Sequence, residues 1–218
     1  MTLTGSPLDV SPVIPVVVLD NPERAIPLAR ALLAGGVKII EITLRTPSAL
    51  ASVAAIAGSV PEIALGVGSV LTADHIGESL AAGAEFLVSP GTNRSLLKSL
   101  AGAPVPVLPG VATISEVLTA LDHGLTDLKF FPAGPAGGPR YLAAIGGPVP
   151  RVRFCPTGGV TAANFGDYLA LPNVATVGGT WLTPPSLVEA EDWDAITALA
   201  AAAVATAATW WPRRGHPQ

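Results

Sequence analysis

The sequence predicts an α/β protein of the (β/α)8 TIM-barrel class, and three observations predict it. Short apolar, β-branched runs alternate with helical patterns, eight of each, along 218 residues. Alternation of this kind implies parallel pairing, and eight units are what a closed barrel needs. The beat recurs at intervals of roughly 20–25 residues without a composition shift or long linker, so one domain is expected. That domain is residues 1–218, with 1–12 and 212–218 as loose termini. A doubly wound open sheet is the competing arrangement.

The elements follow in order. Val13 to Leu19 reads as the first strand, and Asp20-Asn21-Pro22 starts a helix, with Asn21 as cap and Pro22 at the first helical position. Gly35-Gly36 stops it. Lys38 to Leu44 is the second strand, and Thr46-Pro47 opens the next helix. Ile63 to Val67 is the third, followed by Gly68 and a helix over Ala73 to Ala82. Phe86 to Val88 ends in Ser89-Pro90-Gly91, with a helix after Asn93. Val105 to Leu108 ends in Pro109-Gly110, and Thr113 and Glu116 form a capping box for a helix to His123. Leu128 to Phe131 is the sixth strand, followed by a glycine-rich loop and a helix around Tyr141 to Ile145. Val152 to Cys155 is the seventh, and Thr161 caps a helix to Leu171. Val174 to Val177 is the eighth, leading through Gly178-Gly179-Thr180 to a long helix over Trp193 to Thr209.

Composition excludes several function classes. The formal net charge is -4, whereas nucleic-acid binding would want a basic face. Residues 1–12 carry neither a basic residue nor a sustained apolar run, so no signal peptide is expected there. The most apolar window, Ala195 to Trp211, is mostly alanine interrupted by threonine. It reads as a packed terminal helix, and no membrane association is expected. A cytoplasmic protein follows. His75 and His123 lie in helical stretches and His216 in the tail, so no metal site is expected. Cys155 is the only cysteine and has no histidine near it in sequence, which makes it a small core residue rather than a nucleophile.

The active site of such a barrel lies at the C-terminal ends of its strands. Lys129 stands out there, inside the apolar run Leu128-Lys129-Phe130-Phe131. Burial strips water from an ammonium group and favours the neutral amine, a nucleophile towards carbonyls. The alternative is a lysine snorkelling from a half-buried edge strand. The chain has only three lysines. Lys38 begins its strand, on the stability face, and Lys98 belongs to a helix. If this barrel makes a Schiff base, Lys129 is the candidate. Glu41, Thr43 and Arg45 alternate along the second strand and share a face. A buried Glu41 is costly unless paired or used, so it is either a partner of Arg45 or Lys129, a general base, or both. Gly158-Gly159 after Thr157, and Gly178-Gly179 before Thr180, end successive strands. Glycines there let backbone N–H groups approach an anion, with the following helix adding its N-terminal dipole. Tight turns are the competing explanation.

With these residues in place, the chain resembles the family of 2-keto-3-deoxy-6-phosphogluconate and 4-hydroxy-2-oxoglutarate aldolases. The resemblance runs through EITLRT (41–46), GVGSVL (66–71), SPG (89–91), LKFFPA (128–133), RFCPTGG (153–159) and VGGTWL (177–182). It implies a cofactor-free class I aldolase that reversibly cleaves the phosphorylated 2-keto-3-deoxy acid to pyruvate and glyceraldehyde 3-phosphate. Activity on the galactonate epimer or on 4-hydroxy-2-oxoglutarate is compatible with it. By resemblance, Lys129 forms the Schiff base, Glu41 moves protons, and Arg45 with Ser69 holds the pyruvate carboxylate. Thr157, Pro90 and Phe131 fall at the aldehyde end. Gly158, Gly159, Gly178, Gly179 and Thr180 fall at the phosphate. A homotrimer is implied. The family usually has threonine where Ser69 stands, serine where Thr180 stands, and an acidic residue in the loop that here reads Gly134-Pro135-Ala136. An epimerase or isomerase of the related phosphate-binding barrels is the alternative function, and a silent scaffold the third.

Overall fold

The computed structural model describes residue 3 and residues 5–211. Its strands are β1 (Val13–Val17), β2 (Ile39–Thr43), β3 (Ala64–Gly68), β4 (Phe86–Val88), β5 (Val107–Leu108), β6 (Gly110–Val111), β7 (Asp127–Phe130), β8 (Arg153–Pro156) and β9 (Val177–Gly179). Every strand pairing is parallel, in the orders β5-β4-β3-β2-β1-β9 and β6-β7-β8. Nine segments make eight staves, because β5 and β6 are one stave interrupted at Pro109. Proline has no N–H to donate, so the stave bonds β4 below the interruption and β7 above it. Isolated bridges from Phe154 to Val174 and from Thr157 to Gly178 join the β8 stave to the stave that contains β9 and close the cylinder. The closed barrel displaces the open sheet.

Strands β1 and β2 are buried at every position. A parallel stave is covered inside by the barrel core and outside by helices, so both of its faces must be apolar or paired. The helices are α1 (Ala25–Ala34), α2 (Ala49–Ser59), α3 (Ala73–Ala81), α4 (Arg94–Ala101), α5 (Ile114–Asp122), α6 (Gly138–Gly146), α7 (Phe165–Leu169), α8 (Pro185–Glu189) and α9 (Trp193–Ala207). The expected capping box is made: the Thr113 hydroxyl accepts from Glu116 N, and the Glu116 carboxylate accepts from Thr113 N. Burial pushes that carboxyl up, but hydrogen bonds from Ala112 and Thr113 outweigh it and leave it below its ordinary range. The alanine-rich α9 buries Ile196, Ala200, Ala203 and Ala207 on one stripe. A methyl group at Gly35 would fall 2.4 Å from Ala200 Cβ, so α1 and α9 meet nearly backbone to backbone. Among the described residues no helix is long and apolar enough to cross a membrane.

Three expectations change. Residues 1–12 are not loose over their described part: Pro7–Asp9 form a turn of 3-10 helix and Leu8 is fully buried. Arg153 at the start of β8 donates to Asp127 on β7 at 2.5 Å and to Asp9 at 2.7 Å, and the Ser6 hydroxyl also donates to Asp127. This segment plugs the floor of the barrel. Thr161 does not cap α7; its own N–H donates to the Asn164 side chain, and the five-residue α7 begins only at Phe165. The third change is α8, an extra turn between β9 and the terminal helix. The tail 212–218 lies outside the described residues.

Candidate active site

Glu41 on β2 and Lys129 on β7 meet across the barrel interior, with Nζ 3.4 Å from Oε1. Their side chains are 4% and 3% exposed. Taking two charges out of water is expensive, so a pair like this is weak evidence for stability and marks a candidate site. The chain makes room for it. A methyl group at Gly68, beside Glu41 on β3, would fall 1.9 Å from Oε1. Gly68 has no positive φ, so its reason for being glycine is space alone. Gly68→Ala is therefore expected to displace the carboxylate and lower kcat by roughly 10²-fold in folded protein, as judged by steady-state kinetics beside circular dichroism.

The third inward residue of β2, Thr43, is satisfied by donating to Val17 O at 2.8 Å. Around Lys129 the walls are apolar on one side and polar on the other. The Phe131 ring centroid lies 5.3 Å from Nζ, a cation–π distance. Cys155 sits in register with Lys129 on β8. Burial pushes its thiol up to about 12, against the Thr157 hydroxyl and the Lys129 charge that pull it down. It stays protonated at neutral pH, as a core residue should.

Arg45 lies in the turn beyond β2, exposed, and donates from Nε to Ser69 Oγ at 3.2 Å. Among the described residues it forms no ion pair. Ser69 is held at φ 60°, a left-handed conformation that costs a non-glycine residue about 1–3 kcal/mol. An unpaired guanidinium beside a strained hydroxyl, at the catalytic end, suits a planar carboxylate. Pro90 follows β4 and packs over Gly110, where a methyl group would fall 2.2 Å from the Pro90 carbonyl carbon.

Gly158 and Gly159 have φ values of 89° and 80°, which only glycine adopts freely. Gly134 N donates to Gly158 O at 2.8 Å, so the loop after β7 is laid along this turn. Gly178 and Gly179 were expected in a loop but lie inside β9, buried, paired with Ile14 and Pro15. Thr180 follows them and is exposed. The two glycine pairs are adjacent through the Thr157–Gly178 bridge. The expected helix dipoles do not abut them, because α7 and α8 start several residues later and have 5 residues each. An anion placed here would be held by backbone N–H groups and hydroxyls. Sequence reasoning missed Gly68, although the period of two along Gly66-Val67-Gly68 could have placed it inward.

His75 accepts from Leu71 N and His123 lies against Thr119 O, each within its own helical region. Among the described residues no group of three or more histidine, cysteine, aspartate or glutamate side chains could hold a metal ion.

A buried strand lysine paired with a glutamate, at the C-terminal mouth of a parallel barrel, defines an enzyme of the class I aldolase type. The family model described as "KDPG and KHG aldolase" matches residues 5–199, and the chain belongs to that family. It is 48% identical over 203 residues to the KHG/KDPG aldolase of Escherichia coli (strain K12), covering 93% of this chain and 95% of that one. It is 47% identical over 200 residues to the 2-dehydro-3-deoxy-phosphogluconate aldolase of Dickeya dadantii, covering 92% and 94%. Among solved structures, the KDPG aldolase from Legionella pneumophila with pyruvate captured as a covalent carbinolamine superposes with a TM-score of 0.89. That pair shares 44% identity over 90% of this chain and 96% of the other.

Proposed function

We propose that this carbon–carbon lyase cleaves 2-keto-3-deoxy-6-phosphogluconate reversibly to pyruvate and glyceraldehyde 3-phosphate through an imine on Lys129. The observation that carries the proposal is the buried Lys129–Glu41 pair, 3.4 Å apart at the mouth of the barrel. The Lys129 amine attacks the C2 ketone to give a carbinolamine, and loss of water gives the protonated imine. Glu41, directly or through a water, removes the proton from the C4 hydroxyl. The C3–C4 bond breaks, its electrons pass into the iminium, and the aldehyde leaves. Protonation of the enamine at C3 and hydrolysis release pyruvate and free the lysine. An iminium stabilises the developing carbanion far better than a ketone, which is why the covalent detour is faster.

Arg45 and Ser69 hold the carboxylate in this proposal, and Thr157, Pro90 and Phe131 line the aldehyde end. Gly158, Gly159, Gly178, Gly179 and Thr180 take the phosphate. The carbinolamine captured in the Legionella pneumophila relative supports a Schiff-base route. A solved 4-hydroxy-2-oxoglutarate aldolase, 40% identical to this chain with a TM-score of 0.80, supports a second, shorter substrate. We place the enzyme in the cytoplasm as a homotrimer of single-domain barrels. Family membership displaces the epimerase alternative.

The test is chemical. Incubation with pyruvate and borohydride is expected to leave one stable adduct, on Lys129, in the peptide mass spectrum. Folded protein without that adduct would remove the proposal.

A further inference from the structure

The geometry points to Gly178 as a positioning residue: its missing side chain is the space that the Thr157 hydroxyl occupies. The inference rests on the aldolase reading of the site. A methyl group at Gly178 would fall 2.2 Å from Thr157 Oγ1 and 3.1 Å from both Cβ and Cγ2. The first is closer than real Cβ contacts come and the other two are tighter than most, so a side chain at 178 displaces the present threonine rotamer. Gly178 has no positive φ, lies in β9 and pairs with Ile14, so its backbone would accept alanine. The glycine is required by its neighbour.

What it seats is a hydroxyl with a defined direction. Thr157 is only 6% exposed, and its Oγ1 lies 3.4 Å from Cys155 O and 3.8 Å from Cys155 Sγ. Cys155 is in register with Lys129, and Thr157 lies two residues further along the same face, nearer the mouth. The hydroxyl is thus wedged between the β8 backbone and the bare Cα of Gly178, one step above the imine. There it meets the aldehyde half of the substrate, whose C4 hydroxyl configuration is set as the new carbon–carbon bond forms. Backbone N–H contacts to phosphate are a separate function of the same residue, and alanine preserves them.

Three variants test this: Gly178→Ala, Thr157→Ala and the double. Each is checked for fold by circular dichroism, for imine formation by borohydride trapping of pyruvate, and for the C4 epimer ratio of product from pyruvate and glyceraldehyde 3-phosphate. In folded protein, Gly178→Ala is expected to shift the epimer ratio by about tenfold. In the Thr157→Ala background the same change should shift it less than about twofold, since residues acting through one another are not additive. A folded Gly178→Ala with the parent ratio, or an equal shift in both backgrounds, overturns the inference. If Gly178→Ala does not fold, the double variant, relieved of Oγ1 and Cγ2, should; misfolding of both overturns it as well. Failure of the parent to trap pyruvate would instead sink the aldolase reading, a separate outcome.

Discussion

Lys129→Met is expected to lower kcat for retro-aldol cleavage by roughly 10⁵-fold, the scale seen when an enzyme loses a covalent nucleophile. The side chain is 3% exposed, and no other lysine of the chain can substitute. Lys38 is exposed at the opposite, N-terminal end of β2, and Lys98 is exposed on α4. Methionine keeps most of the volume and apolar length but has no nucleophilic nitrogen. Borohydride trapping of pyruvate should vanish with the activity, and retention of either would move the nucleophile elsewhere. Stability should fall too. Breaking a buried pair by removing one partner costs about 3–5 kcal/mol, because it leaves an uncompensated buried charge. Urea denaturation should therefore place Lys129→Met below the parent, and Lys129→Met/Glu41→Gln above Lys129→Met alone. A double variant no more stable than the single would mean that the pair is not electrostatically linked.

Much of this was legible in the chain because barrel staves are local. A run such as Lys38 to Leu44 announces its strand, and a lone lysine inside Leu128 to Phe131 is an anomaly whatever surrounds it. The alternation of Glu41 and Thr43 needed only the period of a strand. Other features rest on partners far away in sequence. Leu8, Asp9 and Ser6 look like a loose terminus until β7 and β8 bring Asp127 and Arg153 beneath the barrel. The glycines were legible as glycines but not by purpose. Gly68 is bare because of Glu41, and Gly178 because of Thr157. Neither contact has a signature in the residues beside it. Pro109 resembles the end of a strand, whereas it interrupts one stave and transfers its pairing from β4 to β7. The helix after β8 is shorter than its pattern suggests for a related reason: Thr161 resembles a cap, but Asn164 captures its N–H before a helix can start.

Glu41→Gln separates the two duties of the buried pair and should cost about 10²–10⁴-fold in kcat, the usual worth of a positioned general base. Glutamine preserves the shape of the carboxylate against Gly68 and can still accept from Lys129 Nζ through its amide oxygen. It cannot take up a proton. Attack of the amine on pyruvate needs a neutral nucleophile more than it needs Glu41, so borohydride should still trap the imine on Lys129. Both steps that move a proton to or from carbon chemistry should slow together: cleavage of the C3–C4 bond, and exchange of the pyruvate methyl hydrogens with deuterium from solvent. The second is measured by proton NMR without any aldehyde present, so it isolates enamine formation from the phosphate end of the site. Exchange at the parent rate alongside slow cleavage would assign Glu41 to the C4 hydroxyl only, and leave another group to protonate C3. Parallel loss of the two would place one carboxylate at both carbons, which its position 3.4 Å from Lys129 Nζ permits.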